Sequence, residues 1–569
     1  MPSGTVGPRP GPRASRRSVT NGWAGKAAAT AKPAGARASM TMSMMTGAIS
    51  SSRFRDLARK AGRYGVLPLL IVAGALTPSI YLACHDAPDL PNLGFMQDDA
   101  VYLVTAKSIA DGSGYRLLHV PRQPHQILYP PFYPLLLSAA WRFQPRFPDN
   151  ASVALFSSWL MLPLLLVITD RLAAAMGAQP AARILLSVWI ALNPIVIFYS
   201  VNLMSELMFC CGVTACVWMV IRALQPGAAA TVALSAGLAG GIAYLTKSAG
   251  IFLLPAALIC FAGLRSYRKG ILFAAGMLPA IATWQMWTRM HVDDPGSYEG
   301  YRTYLSHFAG LSWSQFAAIA GVNIKLIFLR PTGLLVWFLE GAPFLQFAIT
   351  FSALAMVAYC VCSPLRPQFA AGVAVACYVG MLCVWPNGIN SRLLLPAMPV
   401  LLAIFVSLAR TSWIRNPLVF AILSFAGVSN GVVTYAAAFG VMASSIANDR
   451  RAYEQNQPVY DWLRVNSLST PLVTDRAALV YLRTGRPALE PLIPVADWYR
   501  SPRELGVNFS MRMVDIARST GGFLLTHCSA SDESDNLPLC SASIEMQDIH
   551  LIADTKSAKL FRVDLRPPQ

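Results

Sequence analysis

Residues Gly94–Pro134 read GFMQDDAVYLVTAKSIADGSGYRLLHVPRQPHQILYPPFYP. The stretch lies between two apolar runs, so we expect it at a membrane face, and it opens with two adjacent carboxylates, Asp98 and Asp99. Apolar residues then recur at helical spacing as far as Ala110, which predicts an amphipathic helix along the bilayer surface. Prolines between Tyr129 and Pro134 favour an extended approach to the next apolar run. We interpret this stretch as a loop that carries an active site.

The composition predicts an α-helical polytopic membrane protein. The chain has 569 residues, of which 55% are hydrophobic and 13% are charged. A soluble domain carries roughly 25% charged residues, so most of this chain is expected in lipid. A net charge of +18 would also suit a nucleic-acid partner. The basic residues, however, lie in an N-terminal tail and in short loops between apolar runs, so membrane topology explains them better and no nucleic-acid partner is predicted.

The N-terminal tail, residues 1–64, has Asp56 as its only acid and is rich in small and basic residues. Such a composition cannot bury a core, so we predict a disordered basic cytoplasmic tail. A cluster of methionines that begins at Met40 leaves open whether translation starts there.

Apolar runs of membrane-crossing length predict about eleven transmembrane helices within residues 65–445. The predicted spans are Leu67–Cys84, Val153–Thr169, Ile184–Tyr199, Leu203–Ile221, Val232–Leu245, Ile251–Leu264, Ile271–Trp287, Phe344–Val361, Phe369–Trp385, Leu393–Leu408 and Leu418–Phe439. The run Leu135–Phe143 is too short to cross and is predicted to be re-entrant or interfacial.

The basic residues of the short loops predict the orientation of the chain. Predicted inner loops contain arginines such as Arg171 and Arg222, against Asp170 as their only acid. Because cytoplasmic loops carry an excess of Lys and Arg, we expect a multi-pass protein of the cell inner (plasma) membrane with a cytoplasmic N-terminus. Residues 85–134 and 289–343 are then long extracytoplasmic segments.

With that orientation, unusual polar residues gather at the outer ends of different spans. Glu206 opens one span, Lys247 lies in a tight turn between two others, and Arg392 begins a fourth. Charges at a membrane edge are costly unless they face one another or a wet cavity. Their common depth with Asp98 predicts one site.

These residues lie in motifs that resemble those of the GT-C glycosyltransferases, in particular the bacterial branch similar to protein O-mannosyltransferases and lipid A aminoarabinose transferases. The motifs are Asp98-Asp99-Ala-x-Tyr-Leu, Tyr129-Pro-Pro-x-Tyr-Pro, Leu203-x-Ser-Glu206, Tyr244-Leu-Thr-Lys247 and Ser391-Arg392-Leu-Leu-Leu-Pro. The family usually carries Asp-Glu and Arg-Tyr in the first and last of them, so Asp99 and Leu393 are departures.

The resemblance implies a GT-C fold and inverting transfer of a sugar from a polyprenyl-phosphate donor to an acceptor hydroxyl at the extracytoplasmic face. Asp98, with Asp99 beside it, is then the expected general base. Arg392 and Lys247 are expected to bind the donor phosphate. The acceptor, which can be a glycan, a lipid or a protein, is not predicted.

Four further side chains are expected to line the substrate pocket: Glu206, Tyr102, Tyr129 and Tyr133. No cofactor and no metal ligand are predicted. His119 and His125 nonetheless leave a divalent metal open, although their spacing is not that of a compact metal site.

Each assignment has an alternative. The two aspartates can cap a helix, Glu206 can bond neighbouring helices, and Lys247 and Arg392 can extend towards lipid headgroups. The alternative function is a transporter or flippase for a lipid-linked or envelope saccharide, which would need a site near mid-membrane between broken helices.

The C-terminal part, residues 446–569, is charged and mixed, and predicts a small α/β extracytoplasmic domain. Strand-like runs begin at Pro471, Gly522 and Lys559, and residues 476–483 are helix-like. Cys528 and Cys540 are the only cysteines of this part, and in an oxidising compartment they are expected to form a disulfide.

Overall fold

The computed structural model describes residues 66–86, 90–94, 96–294, 312–329, 343–385, 389–409, 440, 447–448, 450–466, 470–491, 502–528, 539–540, 548–555 and 557–564. The predicted disordered tail, residues 1–64, and the last predicted span, Leu418–Phe439, lie outside these residues. So do the tyrosines of the second outer segment, at positions 298, 301 and 304.

The described residues are mainly helical. The helices are α1 Val66–Asp86, α2 Asp98–Ala110, α3 Phe132–Phe143, α4 Ala151–Trp159, α5 Met161–Ala175, α6 Pro180–Leu192, α7 Pro194–Ser200, α8 Glu206–Leu224, α9 Ala230–Thr246, α10 Leu253–Gly263, α11 Tyr267–His291, α12 Trp313–Leu329, α13 Pro343–Val361, α14 Phe369–Cys383, α15 Ser391–Leu394, α16 Met398–Leu408, α17 Ala477–Thr484 and α18 Pro502–Thr520. Residues 450–465 are helical as well.

Five helical segments of the described residues are long and apolar enough to cross a membrane: Pro68–His85, Ala151–Ala175, Glu206–Leu224, Tyr267–His291 and Ser391–Leu408. Helices α6 and α7 are bent by 61° at their junction and make a sixth if they form one span. Several predicted spans, such as α9 and α14, are apolar helices of fewer than 18 residues. The membrane fold class is therefore confirmed, whereas the number of about eleven spans is not.

Small residues let the helices that carry the polar side chains pack closely. A Cβ built on Gly212 of α8 would lie 2.9 Å from the Cβ of Ala243 on α9, and one on Gly237 would lie 2.1 Å from the Phe273 carbonyl oxygen on α11. No larger residue fits at such contacts, a pattern common between membrane helices. The close packing of α8 and α9 brings the first residue of α8, Glu206, near the residue that follows α9, Lys247.

Helix α2 differs from the prediction of an amphipathic surface helix. Every residue from Asp99 to Ala106 is buried, and so is Ser108. The helix packs against α3, whose Trp141 donates a hydrogen bond to the Leu103 carbonyl oxygen at 2.9 Å, and against α17 of the C-terminal domain. Most of the polar side of α2, which the sequence pattern predicts to be exposed to water, is therefore covered by protein.

The C-terminal domain contains a four-stranded sheet of β1 Leu472–Thr474, β2 Phe523–His527, β3 Ile549–Asp554 and β4 Ala558–Val563. The strand order is β1-β2-β4-β3, with β1 and β2 parallel and the other pairs antiparallel. The predicted strands and the helix at α17 are confirmed. Strand β3 escaped prediction because it is an exposed edge strand without apolar alternation.

The predicted disulfide is confirmed. Cys528 and Cys540 are bonded, with their Cα atoms 5.7 Å apart. The bridge joins the residue after β2 to a short described segment that also contains the buried Leu539.

Candidate functional site

Arg392 joins three distant segments of the chain. It lies in α15, a single turn that is capped by the side chain of Asn390, which accepts a hydrogen bond from Leu393 N at 3.2 Å. The guanidinium Nη2 lies 2.5 Å from Asp98 Oδ2, and Nε donates to Glu206 Oε1. The predicted convergence of these three side chains is therefore what the structure contains.

Lys247 completes the group, since its Nζ lies 2.6 Å from the same Glu206 Oε1. We call Asp98, Glu206, Lys247 and Arg392 the charge cluster. Two carboxylates and two cations give it no net charge. The Glu206 side chain is only 1% exposed, whereas the other three are 18–20% exposed. Buried charges of this kind persist only when they are paired.

Tyr129 bonds the cluster from the loop, because its hydroxyl donates to Asp98 Oδ1. Its position is fixed by Gln126, whose side-chain oxygen accepts from the backbone N–H groups of Leu128 and Tyr129. The Tyr129 ring packs edge-on against Tyr102, with ring centroids 5.1 Å apart. Both Asp98 oxygens are therefore held, one by a hydroxyl and one by a guanidinium.

The other two predicted pocket tyrosines lie one layer behind. The Tyr102 hydroxyl is 3.1 Å from Ser205 Oγ, next to Glu206, and burial raises the pKa of Tyr102 well above its usual value, so the hydroxyl stays protonated. The Tyr133 hydroxyl is 3.0 Å from Ser158 Oγ, and the ring packs edge-on against Tyr102. Tyr133 therefore supports the wall rather than touching the charge cluster.

Asp99 points away from its neighbour. Its Oδ1 accepts a hydrogen bond from Ala100 N at 2.7 Å, and its Oδ2 accepts one from Gly94 N at 3.0 Å. Burial raises the pKa of Asp99 to about 7, although the two N–H groups oppose the shift. Asp99 thus ties the loop backbone together, and of the two adjacent aspartates only Asp98 reaches the charge cluster.

One of the two loop histidines belongs to a second group of side chains. His125, His291 and Asp294 place three ligand atoms within 4.8 Å of one another, and His125 Nδ1 is 2.5 Å from Asp294 Oδ2. Two imidazoles and a carboxylate are a suitable donor set for Zn²⁺. His119 is not part of the group: it is buried, and burial lowers its pKa to about 3, so it is neutral.

The C-terminal domain supplies groups that the sequence did not predict. Glu490 accepts a hydrogen bond from Ala477 N, the first residue of α17, at 3.0 Å. Burial, reinforced by the charges of Asp475 and Asp98, raises the pKa of Glu490 to about 8. The domain therefore lies within electrostatic range of Asp98.

An apolar cavity of about 50 Å³ is lined in part by residues that follow Arg392 in the chain. Its walls include Leu394, Ala397 and Met398, which follow Arg392 along the chain, and side chains of α12, α13 and α14. Thr350 is the one polar residue of the lining.

The comparisons with known proteins concern the fold. A scan against protein-family models and a search of curated protein sequences find no match. Among solved structures, ArnT from Cupriavidus metallidurans is similar in its apo state, with a TM-score of 0.50, and bound to undecaprenyl phosphate, with a TM-score of 0.53. In both cases the identity is 13%, and the similarity covers 87% of this chain and 97% of ArnT.

The oligosaccharyltransferase AglB from Archaeoglobus fulgidus, in complex with an inhibitory peptide and a dolichol-phosphate, is also similar, with a TM-score of 0.48, 11% identity, and coverage of 81% of this chain and 69% of that one. The ArnT structures are similar enough to define the architecture. This chain shares their fold, as the resemblance of its motifs implies.

Proposed function

We propose that this protein is a membrane glycosyltransferase that moves a sugar from a polyprenyl-phosphate donor to an acceptor hydroxyl, with inversion, at the extracytoplasmic face. The observation that carries the proposal is the charge cluster, in which Asp98, Glu206, Lys247 and Arg392 come from four separate segments and form one network. The fold supports it, because the chain shares the architecture of ArnT, which has been seen with undecaprenyl phosphate.

Asp98 is the proposed general base. In the transfer, the acceptor oxygen bonds to the anomeric carbon while the bond from that carbon to the donor phosphate breaks, and the bonding electrons leave with the phosphate. The acceptor proton passes to a carboxylate within hydrogen-bond reach. Asp98 is favoured over Asp99, since the Asp98 side chain is 18% exposed within the charge cluster, whereas Asp99 is 1% exposed and bonded to two backbone N–H groups.

Arg392 and Lys247 are the proposed ligands of the donor phosphate. The cluster has no net charge, so an arriving phosphodiester must compete with a carboxylate for a cation. Of the two ion pairs of Arg392, a phosphate can more readily displace the one with Asp98. The Arg392 and Asp98 side chains are each 18% exposed, whereas Glu206 is buried. The phosphate would then replace Asp98 on the guanidinium, which leaves Asp98 free to accept the proton.

The apolar cavity lined by residues that follow Arg392 in the chain suits part of a polyprenyl chain. It is lined by Leu394, Ala397 and Met398, directly after the proposed phosphate ligand, and nearly all its other lining residues are apolar. A lipid phosphate needs this combination of cation and adjoining hydrocarbon surface. The orientation that puts the cluster and the C-terminal domain outside the cell belongs to the same proposal.

A divalent cation is the proposed occupant of the His125, His291 and Asp294 group. Such an ion would stiffen the loop around Gln126, the residue after His125. The Gln126 carbonyl oxygen accepts a hydrogen bond from Trp287 Nε1 at 2.9 Å, and the Gln126 side chain accepts one from Tyr129 N. No step of the transfer is assigned to the ion. Metal analysis of the purified protein tests this: bound zinc in wild type and its loss in His291→Ala support the site, and equal zinc content in both variants argues against it.

A transporter or flippase remains the alternative, and the bend between α6 and α7 is the observation that favours it, because broken helices line many transporter sites. The bend lies at Asn193, whose side chain caps α7 by accepting from the N–H groups of Ile195 and Val196.

Reconstitution separates the two functions. Vesicles with the purified protein would be given a panel of undecaprenyl-phosphate sugars and envelope extract as the acceptor source. Transferase activity releases undecaprenyl phosphate and labels the acceptor. Movement of the intact donor across the bilayer without a product would contradict the proposal.

A further inference from the structure

The backbone immediately before Asp98 is strained. Gln97 has φ 58° and ψ −51°, and Asp98 N donates a hydrogen bond to the Met96 carbonyl oxygen at 2.6 Å. This combination is a γ-turn with positive φ, which is rare for any residue with a side chain. Such a conformation is energetically unfavourable and persists only when its surroundings hold it.

The C-terminal domain makes the contact that holds the turn. The Gln97 side-chain amide donates to the backbone carbonyl oxygen of Asp475 at 3.3 Å, across 378 positions of sequence. On the other side of the turn, Asp99 binds Gly94 N. The strained residue is therefore anchored by its own side chain to a second part of the fold.

The same domain grips the loop at other points. A Cβ on Gly94 would lie 2.7 Å from Leu479 Cδ2 of α17, so the loop backbone lies directly on that helix. Arg483, also of α17, donates to the Leu90 carbonyl oxygen at 3.2 Å, and Ala488 N donates to the His119 carbonyl oxygen at 2.8 Å.

The anchor itself is rigid. The Asp475 carboxylate accepts from His527 N, and its Oδ1 is 2.7 Å from His527 Nδ1, while the other ring nitrogen is 3.0 Å from the Tyr460 hydroxyl. All three side chains are buried. A carbonyl at this position has little freedom to follow the loop, so the loop must follow the domain.

We propose that Gln97 is a positioning residue for Asp98, and that the C-terminal domain, through the Asp475 carbonyl, is a working part of the transfer site rather than a separate acceptor module. The inference rests on the proposed function. A relaxed turn at Gln97 would redirect the Asp98 carboxylate away from Tyr129 and Arg392. A displacement of about 1 Å at a reacting group can cost about a hundredfold in rate.

The test compares three full-length variants in lipid. Gln97→Ala removes the anchor and keeps the strain, Gln97→Gly removes both, and Gln123→Ala is the matched control, because Gln123 is an exposed glutamine of the same loop that also has positive φ, 50°. Undecaprenyl-phosphate sugars that wild type turns over serve as donors.

We expect Gln97→Ala to lower kcat about tenfold to a hundredfold with KM for the donor within about twofold. The loss in Gln97→Gly should be smaller, since glycine takes positive φ without strain, and Gln123→Ala should match wild type. Hydrogen–deuterium exchange of the peptide around Asp98, which needs no donor, should quicken in Gln97→Ala and stay at the wild-type rate in Gln123→Ala.

Wild-type exchange together with wild-type kcat in Gln97→Ala would overturn the inference. A wild-type protein that transfers no sugar, but whose Gln97→Ala variant still exchanges faster around Asp98, would overturn the proposed function and leave the turn as a purely structural device.

Discussion

Two ionic networks among the described residues differ in completeness. In the C-terminal domain, Tyr460, His527 and Asp475 form a chain of hydrogen bonds in which every residue is at most 6% exposed and its partners are protein groups. The charge cluster is partly open, and its buried Glu206 Oε2 has no hydrogen-bond partner among the described residues. Closed pairing is what a domain core requires. Open and incomplete pairing leaves room for a ligand that completes it.

The sharpest test of this comparison is Asp98→Asn. Asparagine nearly matches the shape of aspartate but cannot take the proton, so the transfer rate should fall about a hundredfold to ten-thousandfold. The rate of release of undecaprenyl phosphate measures it. Asp111→Asn, at the exposed end of the same helix, is the control and should retain wild-type rate. An Asp98→Asn protein that keeps most of its activity would remove the base from the account.

Replacing Arg392 tests the cation side of the charge cluster. Arg392→Ala should raise the half-saturating concentration of the donor by about tenfold to a hundredfold, since charged hydrogen bonds contribute about 1.5–3 kcal/mol. Arg392→Lys should rescue only part, because lysine lacks the planar two-pronged geometry. Arg183→Ala breaks a two-bonded pair with Asp170 elsewhere and should leave donor affinity unchanged. Unchanged affinity in Arg392→Ala would make this arginine structural.

The closed network should respond in the opposite way. His527→Gln leaves the buried Asp475 and Tyr460 side chains incompletely hydrogen-bonded. This should lower the free energy of unfolding by about 1–3 kcal/mol, so the melting temperature of the purified protein should fall. Its transfer rate per folded molecule should change less than tenfold, because His527 bonds the Asp475 side chain and the hydrogen bond from Gln97 to the Asp475 backbone carbonyl is kept. Thermal unfolding in detergent and turnover of the soluble fraction measure both. A loss of turnover as large as that of Asp98→Asn, at an unchanged melting temperature, would show that the Tyr460, His527 and Asp475 network takes part in the reaction. The two networks would then not differ in function.

Asp99 gives the smallest expected effect. Burial raises its pKa from 3.8 to about 7, so the folded state holds this proton more tightly than the unfolded state does. Its contribution to stability is then complete below about pH 4 and is lost progressively as the pH rises from there through 7, with about 1 kcal/mol of the loss between pH 6 and pH 8. Melting curves of wild type and Asp99→Asn should diverge in this window. Parallel pH dependence of the two proteins would contradict the raised pKa.

The charge cluster was predictable because Glu206, Lys247 and Arg392 lie at the ends of apolar runs. The lengths of these runs and the basic residues of the loops predict at which side of the membrane each run ends. Glu206, Lys247 and Arg392 needed no tertiary information beyond the shared side of the membrane. Asp98 was the expected base, but the turning of Asp99 away from the charge cluster was not accessible, since it follows the turn at Gln97, which is held by a contact 378 positions away.

Other features escaped prediction for similar reasons. The group of His125, His291 and Asp294 joins residues up to 169 positions apart. The sequence therefore shows no compact ligand spacing that would predict it. The described helices do not confirm the predicted number of spans, because apolar runs such as α9 and α10 form helices of fewer than 18 residues, separated by a turn of 3-10 helix at Ser248–Phe252. Burial of α2 was missed because the domain that covers it is encoded at the far end of the chain.

Mass spectrometry of envelope glycans and glycoproteins tests the central claim most directly. Cells without this protein would be complemented with wild type, with Asp98→Asn or with His527→Gln at matched membrane levels. The account predicts that one envelope structure lacks a single sugar in the uncomplemented cells, regains it with wild type and with His527→Gln, and stays without it with Asp98→Asn. Full restoration of that sugar by Asp98→Asn would contradict the account.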